Sequence, residues 1–337
     1  MIELSGQQLS FSFPEVHPEA MLQIELQRTL RIPDDGLDYP LPPGLGAFPV
    51  QHVDDYAARV PRSWIDRGGV MVPMYQSEAM WLNFTTSYVT DQGSYPFAIK
   101  IATGKINAVT GNPWDDGLHR KPQDYVVSPK QPWLDGYAVG KGAVRQFIAM
   151  PLCKGYTAEE QLTGKADIGG IQIQVYPMKQ EAFEKRFPVK PPIQFSLAPT
   201  IHSCAMPSMG IAPGGRIKQQ IYKDSYALRD WDLGQTSRCF IHLCNSQQWR
   251  SITGSVPPNQ PIKAKQYAQA GLPWFDFYNE KTQVVSGSAK LASLDTVADH
   301  AKTCGDAPLA DNETLVAQRV VKLRRDLKTG QVRESGL

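Results

Sequence analysis

The clearest pattern along the chain is a period-two alternation of apolar and polar residues. In residues 22–32, leucine and isoleucine take one face, while glutamine, glutamate and arginine take the other. Residues 171–176 alternate in the same way, and 97–109 contains two such runs, with Ile101 expected to face Ile106 across a hairpin. Since side chains at i and i+2 of a strand point to the same face, each run predicts a half-buried strand.

Further strands are predicted at 144–152, 215–222 and 238–245, and the last of these is apolar on both faces, as in an interior strand. Two glycine-rich segments, 136–142 and 209–216, are interpreted as turns. The first falls short of a complete P-loop, and the second leads into a strand instead of a helix, so neither favours nucleotide binding.

Helical signals are fewer and shorter. Thr157 has capping-box spacing for one brief helix, and 179–187 and 263–270 are also expected to be helical. Near the C-terminus, apolar residues within 316–327 recur at i, i+4, i+7 and i+11, ahead of Gly330. That spacing predicts an amphipathic C-terminal helix.

Strands therefore come in runs, without regular alternation with helices. The pattern predicts a mainly β protein, with α+β as the alternative, built as an antiparallel sandwich or distorted barrel with short peripheral helices. The basic, proline-bearing stretch 184–192 suggests a boundary between a β-rich domain at 1–183 and a β-rich domain with C-terminal helices at 193–337. One large domain is the alternative for a chain of 337 residues.

Composition narrows the class of protein. The hydrophobic fraction of 42% and the charged fraction of 20% are typical of a soluble globular protein. A net charge of +2 without a basic stripe argues against nucleic-acid and membrane-surface binding, and no apolar run is long enough to span a membrane. The five cysteines, an odd number without a Cys-x-x-Cys pair or a recognisable leader, are expected to be free thiols in the cytoplasm.

The most distinctive motif is the tetrad Pro-Trp-x-Asp, which occurs at 113–116, 132–135 and 273–276. The first two copies run on into Gly117 and Gly136, so proline and glycine make each of these two a rigid bend that presents an indole with a carboxylate two residues later. Indole faces stack on sugars or attract cations, whereas the structural alternative is corner packing with the aspartate capping backbone amides. The candidate ligand-binding residues are therefore Trp114, Trp133, Trp274 and Asp276. The first two tryptophans are expected to flank one region of surface.

Two further groups carry candidate chemistry. A doubled His-x-Cys could supply a tetrahedral zinc site if its two copies lie on neighbouring strands, although all four residues are also ordinary buried residues. The candidate zinc ligands are His202, Cys204, His242 and Cys244. Carboxylates and a histidine close to the first two tetrads could provide acid/base groups, or could simply cap backbone amides. The candidate catalytic residues are Asp115, Asp116, His119 and Asp135.

The stretch 131–164 resembles a segment of an uncharacterised family of bacterial and fungal proteins, as do 30–74 and 271–278. Members of that family are sometimes labelled integral membrane proteins, and the resemblance implies no activity, cofactor or site. The residues themselves favour a soluble, cytoplasmic β-rich binding or structural protein, without a cofactor other than the candidate zinc. Its partner would be a small molecule, a carbohydrate or another protein. A carboxylate- or metal-assisted hydrolase and a subunit of a homo-oligomeric assembly are the alternatives.

Overall fold

The structure is a computed structural model that describes residues 1–189, 208–277, 282–307 and 312–323. Strand accounts for 36% and helix for 17% of the structure, so the predicted mainly β class is confirmed. The strands are β1 (Ile2–Ser5), β2 (Gln8–Ser12), β3 (Met21–Thr29), β4 (Asp38–Tyr39), β5 (Gly44–Ala47), β6 (Gln51–His52), β7 (Val70–Pro73), β8 (Ala79–Thr86), β9 (Tyr88–Val89), β10 (Gly93–Ser94), β11 (Phe97–Thr103), β12 (Ile106–Asn107), β13 (Val126–Ser128), β14 (Trp133–Leu134), β15 (Gly136–Gly140), β16 (Ala143–Pro151), β17 (Ile171–Pro177), β18 (Ser208–Ile217), β19 (Ser237–Cys244), β20 (Trp274–Asp276) and β21 (Val320–Lys322). The α-helices are α1 (Arg62–Arg67), α2 (Ala158–Thr163), α3 (Gln180–Arg186), α4 (Ser246–Thr253), α5 (Ala264–Gln269), α6 (Ala289–Ala292) and α7 (Val297–Cys304).

Seventeen strands belong to one sheet, and β9–β10 and β20–β21 form two small ones. The main path of antiparallel neighbours runs β1-β2-β3-β8-β16-β18-β19-β17-β11. Within the described part of the chain, β1 pairs with β2 alone, and the far end is completed by β12 and β13 beside β11. The sheet is therefore open, and the distorted barrel considered from the sequence is not formed.

The predicted strands are present as β3, β11, β16, β17 and β19, and β19 is interior, between β17, β18 and β7. The strand predicted at 215–222 is present only as far as Ile217, as the end of β18. The hairpin register was predicted wrongly. Ala108 donates its backbone N–H to the carbonyl of Ile101 at 2.9 Å, in the place expected for Ile106. The reason is the turn, because Thr103 faces Ile106 and Gly104, at φ +55°, lies in the two-residue loop.

The interpretation of the two glycine-rich segments as turns was also wrong, since they lie largely within β15 and β18. Their glycines allow close approach within the sheet. A Cβ on Gly136 would lie 1.9 Å from the carbonyl oxygen of Arg145, and one on Gly214 would lie 2.4 Å from Cγ1 of Ile148. Glycine within a strand often marks such an approach, because a larger residue would not fit.

The predicted C-terminal helix is wrong over its described part, where Val320–Lys322 is strand β21, parallel to β20. Backbone hydrogen bonds from Trp274 to Arg319 and from Leu323 to Asp276, both 2.8 Å, fix this pairing. Adjacent β-branched valines favour a strand once a partner edge is present. The remainder of the expected helix, including Leu327 and Gly330, lies outside the described residues.

The three shorter helical predictions are confirmed as α2, α3 and α5, and Thr157 and Glu160 form the expected capping box. Strands from both sides of the suggested domain boundary pair directly, β16 with β18 and β17 with β19. This pairing favours the single-domain alternative. The helices of the described residues are all too short or too polar to cross a membrane.

Candidate functional site

One solvent-facing side of the sheet carries a row of amide, carboxylate and indole side chains. Glu25 on β3 faces Gln8 on β2 and Asn83 on β8, and Asn83 faces Trp133 on β14. Residues directly opposite in antiparallel strands have Cβ atoms about 5 Å apart, so the row is continuous across four strands. The alternate residues of β3, such as the buried Ile24, point the other way, into the core. We call this surface the Trp81–Trp133 face, and it consists of Gln8, Glu25, Gln27, Trp81, Asn83, Trp133 and Phe277.

Glu25 is the carboxylate of this face, and three amides hold it. It accepts hydrogen bonds from Nε2 of Gln8 at 2.5 Å, from Nδ2 of Asn83 at 3.1 Å and from Nε2 of Gln27 at 3.2 Å. These donors are neutral, so they orient the carboxylate without cancelling its charge. Each amide nitrogen also has a second N–H. The arrangement presents a fixed acceptor surrounded by donors.

The aromatic part of the face lies beside this carboxylate. The ring of Trp133 contacts Trp81 edge-on, with centroids 6.4 Å apart, and Phe277 at 4.7 Å. All three side chains are partly exposed. Trp81 lies over Gly44 of β5, where a Cβ would be only 3.2 Å from the indole. A hollow of about 310 Å³ opens next to Phe277 and is also lined by Lys218.

Asp135, a candidate catalytic residue, lies below the face and is enclosed. Its carboxylate accepts a hydrogen bond from Nε2 of Gln219 at 2.5 Å, and its backbone N–H donates to Oε1 of the same side chain at 3.0 Å. Burial raises the pKa of Asp135 to about 7, against the opposing effect of a hydrogen bond from the Trp133 side chain. Asp135 therefore supports the loop that carries Trp133 and has no open path to a ligand.

The other candidate catalytic residues lie around a buried lysine. Nζ of Lys100 is 2.6 Å from Asp115 and 2.8 Å from Asp124, and it also donates to the carbonyl of Gly117 at 2.9 Å. Nδ1 of His119 lies 3.0 Å from Asp124 and 3.5 Å from Asp115. The hydrogen bond from Lys100 holds the pKa of Asp115 below its usual value. The ammonium group thus occupies the space between the two carboxylates.

Trp114 lies over the same cluster, between two cations. The Nζ of Lys100 is 5.4 Å from its ring centroid, and the guanidinium of Arg238 is 4.7 Å away. Arg238 also approaches Asp116 at 3.9 Å. Cation–π contacts of this kind stabilise a partly buried indole. Trp114 contacts residues of β11 and β19, whereas Trp133 faces β8, so the two indoles pack on different strands.

The third tetrad belongs to the core. Trp274 is fully buried and packs edge-on against Tyr267 at 6.1 Å, so its indole offers no surface to a ligand. Asp276 is partly exposed at the end of β20, where its carbonyl accepts the hydrogen bond that holds β21. The structure therefore separates the three tetrads into a face, a cation-flanked turn and a core position.

Half of the candidate zinc set is described. His202 and Cys204 lie outside the described residues. His242 is buried, donates from Nε2 to the carbonyl of Gly68 at 3.0 Å and stacks on Trp64 at 4.6 Å. Burial lowers the pKa of His242 to about 4, so the ring is neutral at pH 7. Cys244 is a buried thiol, outside any disulfide, in the same apolar cluster.

The sequence analysis missed the residues that organise the Trp81–Trp133 face and the cluster around Lys100. Glu25 and Asn83 occupy the polar positions of alternating strands, which is a signal for an exposed face but not for its chemistry. Lys100 is the one charge in the apolar run of β11 and is fully buried. A buried lysine requires a partner, so its position in such a run was an available signal for nearby carboxylates.

Comparison of the chain with family models, with curated proteins and with solved structures gives no match in any of the three. The resemblance of 131–164 to an uncharacterised family therefore remains a hypothesis. Function has to be inferred from the geometry of the chain itself.

Proposed function

We propose that the protein is a binding protein whose Trp81–Trp133 face takes a neutral, hydroxyl-rich ligand of the carbohydrate class. The observation that carries this proposal is the position of two partly exposed indoles beside Glu25, a carboxylate oriented by three neutral amides. Small-molecule sites combine apolar and aromatic surface with a few fixed polar groups, and this face has both.

The aromatic and the polar side chains of the face suit different groups of a sugar. The rings of Trp81 and Trp133 supply apolar surface for C–H groups, while Glu25 accepts hydrogen bonds from hydroxyl groups. The second N–H groups of Asn83 and Gln27 can donate to hydroxyl oxygens in return. A charged ligand is less suitable, because a cation would compete with three amide donors and an anion would be repelled by Glu25.

Binding is favoured over glycoside hydrolysis. Hydrolysis requires two carboxyl groups that flank the scissile bond, and the face as defined contains Glu25 alone. Asp135 is close in the chain to Trp133, but its carboxyl group is enclosed below the face.

Titration with defined neutral oligosaccharides, followed by tryptophan fluorescence and calorimetry, tests the proposal. Glu25→Gln should weaken binding about tenfold or more, since it removes charge-assisted hydrogen bonds while keeping the shape of the side chain. Trp133→Ala should abolish binding, and Trp114→Ala, a change in the sister tetrad, is the matched control. Equal binding by wild type and both face variants would refute the proposal, as would the absence of binding to every neutral oligosaccharide tested.

The same aromatic face could instead be covered by a second copy of the chain, as in the homo-oligomer considered from the sequence. Light scattering after gel filtration distinguishes ligand binding at this face from contact between two copies of the chain. A mass above that of one chain that falls to one chain in Trp133→Ala would assign the face to subunit contact. A single-chain mass for both proteins leaves the face open to a ligand, as the proposal requires.

A metal-assisted hydrolase is the second candidate, and one observation favours it. Ligand atoms of Asp115, His119 and Asp124 lie within 4.8 Å of one another, which suits a divalent ion. However, Nζ of Lys100 already contacts both carboxylates, so a metal would have to displace a buried ammonium group. Because of this competition, the hydrolase ranks second.

A further inference from the structure

A second concave region shares no lining residue with the Trp81–Trp133 face. It has a volume of about 740 Å³ and is bounded by residues 109–112, 120–123 and 283–290, together with Lys223 and Asp224. Small-molecule sites commonly have volumes of about 300–1,000 Å³, so this cleft is large enough for a metabolite.

The lining of the cleft is strongly basic. It contains four cationic residues, which are Arg120, Lys121, Lys223 and Lys290. In the parts of the chain that the structure describes, none of the four forms an ion pair with a carboxylate. Arg120 donates one hydrogen bond to the carbonyl of Asp224 at 3.0 Å, and Lys290 donates to Oδ1 of Asn112 at 2.7 Å. Most of their N–H groups therefore remain available to a ligand.

The carboxylate in the lining does not offset this charge locally. Asp224 is buried and accepts hydrogen bonds from Oη of Tyr125 at 2.6 Å, from Nε1 of Trp231 at 3.0 Å and from the backbone of Tyr226 at 2.7 Å. Its oxygens are thus committed to the protein interior. The residues that line the cleft therefore carry four positive charges and one negative charge, and the negative charge is turned into the protein interior.

The walls are held in place by backbone contacts. The N–H of Lys223 donates to Gln283 at 2.9 Å, and the N–H of Ser288 donates to Ala138 of β15 at 2.8 Å. Gly287 lies against β15 so closely that a Cβ would be 2.3 Å from the backbone nitrogen of Gly140. The segment 283–290 is therefore fixed to the sheet, so this wall of the cleft is held by the protein's own contacts.

We propose that this cleft binds a small phosphorylated molecule. Several cations without carboxylate partners among the described residues surround one concave space and attract a multiply charged anion, and arginine and lysine together are the usual partners of phosphate oxygens. The hydroxyl group of the exposed Ser286 in the lining can bind the uncharged part of such a molecule. The cleft and the Trp81–Trp133 face are separate sites, and this inference does not rest on the proposed carbohydrate binding.

Calorimetric titration with pyrophosphate, at about 20 mM and about 200 mM salt, tests the assignment. Binding should weaken at the higher salt concentration, and Lys121→Gln and Lys223→Gln should each weaken it about tenfold or more. Lys185→Gln, which removes the same charge from the exposed side of α3, is the control and should bind as wild type does. Circular dichroism confirms that each variant is folded.

Three results would overturn the inference. If pyrophosphate does not bind, the cleft is not a phosphate site. If Lys185→Gln weakens binding as much as the cleft variants do, the attraction is a property of net charge and not of a site. If citrate binds as tightly as pyrophosphate, the cleft does not distinguish phosphate from carboxylate groups, and the phosphate assignment is wrong. Oligosaccharide binding should be unchanged in Lys223→Gln, which keeps failure of the two proposals distinguishable.

Discussion

Asp135 offers the sharpest measurable consequence of the fold, because its carboxyl group is enclosed and its side-chain hydrogen-bond partners, Gln219 and Trp133, are both neutral. It is 4% exposed and lies 2.5 Å from Nε2 of Gln219. Burial disfavours the charged form and raises the pKa to about 7, from a usual value of about 4. Asp135→Asn replaces the group with a neutral side chain of the same shape, similar to its protonated form.

The direction of the effect follows from proton binding. Between about pH 4 and pH 7 the folded protein keeps a proton on Asp135 that the unfolded chain releases. Stability contributed by this group is therefore present at low pH and falls as pH rises through that window. A difference of about three in pKa corresponds to about 4 kcal/mol in total, of which about 3 kcal/mol should be lost between pH 5 and pH 8.

Urea unfolding of wild type and Asp135→Asn across that pH range measures the effect. The variant should gain about 3 kcal/mol relative to wild type on going from pH 5 to pH 8. Asp55→Asn, which removes an exposed carboxylate, controls for the loss of one negative charge. A difference between wild type and Asp135→Asn that stays constant with pH would refute the assignment of a buried, proton-binding carboxyl group.

Three further predictions concern the core and the lysine cluster. Because burial lowers the pKa of His242 to about 4, stability should fall by up to about 3 kcal/mol as pH drops from 7 to 4, and His242→Gln should reduce that dependence in acid unfolding curves. Trp274→Ala should lower the free energy of unfolding by about 3–5 kcal/mol in urea titrations without changing oligosaccharide binding. Lys100→Met should destabilise by about 3–5 kcal/mol by leaving Asp124 buried without its cation, and Mn²⁺ should restore part of the loss in thermal melts. Equal stabilisation of wild type by Mn²⁺ would contradict the role given to the ammonium group.

The strands could be predicted because their signal is local. In β3 the alternation of buried Ile24 with partly exposed Glu25 is visible in the sequence. The hairpin register follows from the local two-residue turn at Gly104, whose position the sequence analysis misplaced. The nature of β18, in contrast, could not be predicted, because it depends on contacts between distant segments. Gly214 fits against Ile148 only after β16 and β18 have paired.

The three Pro-Trp-x-Asp tetrads also show that the sequence of a motif does not reveal its contacts with distant segments. The three share one sequence pattern, yet Trp133 is partly exposed beside other aromatic rings, Trp114 lies under Arg238, and Trp274 is enclosed. What differs is the neighbour that each indole meets, and that neighbour comes from a segment far away in the chain. A local motif fixes the direction of a side chain, whereas its distant neighbours decide whether the side chain packs or remains open to a ligand.

Charge placement separates the two proposed sites from the candidate catalytic cluster. Lys100 is enclosed in the sheet, where it pairs with the buried Asp124 and with the exposed Asp115, so its charge is used within the protein. The cations of the cleft have no such partners among the described residues, and Glu25 is held by amides. Charges that the fold leaves uncompensated beside a concave or aromatic surface are the ones available for recognition, whereas a compensated buried pair is chiefly structural. On this ground the Trp81–Trp133 face and the basic cleft, not the Asp115–His119–Asp124 cluster, are where binding should be sought.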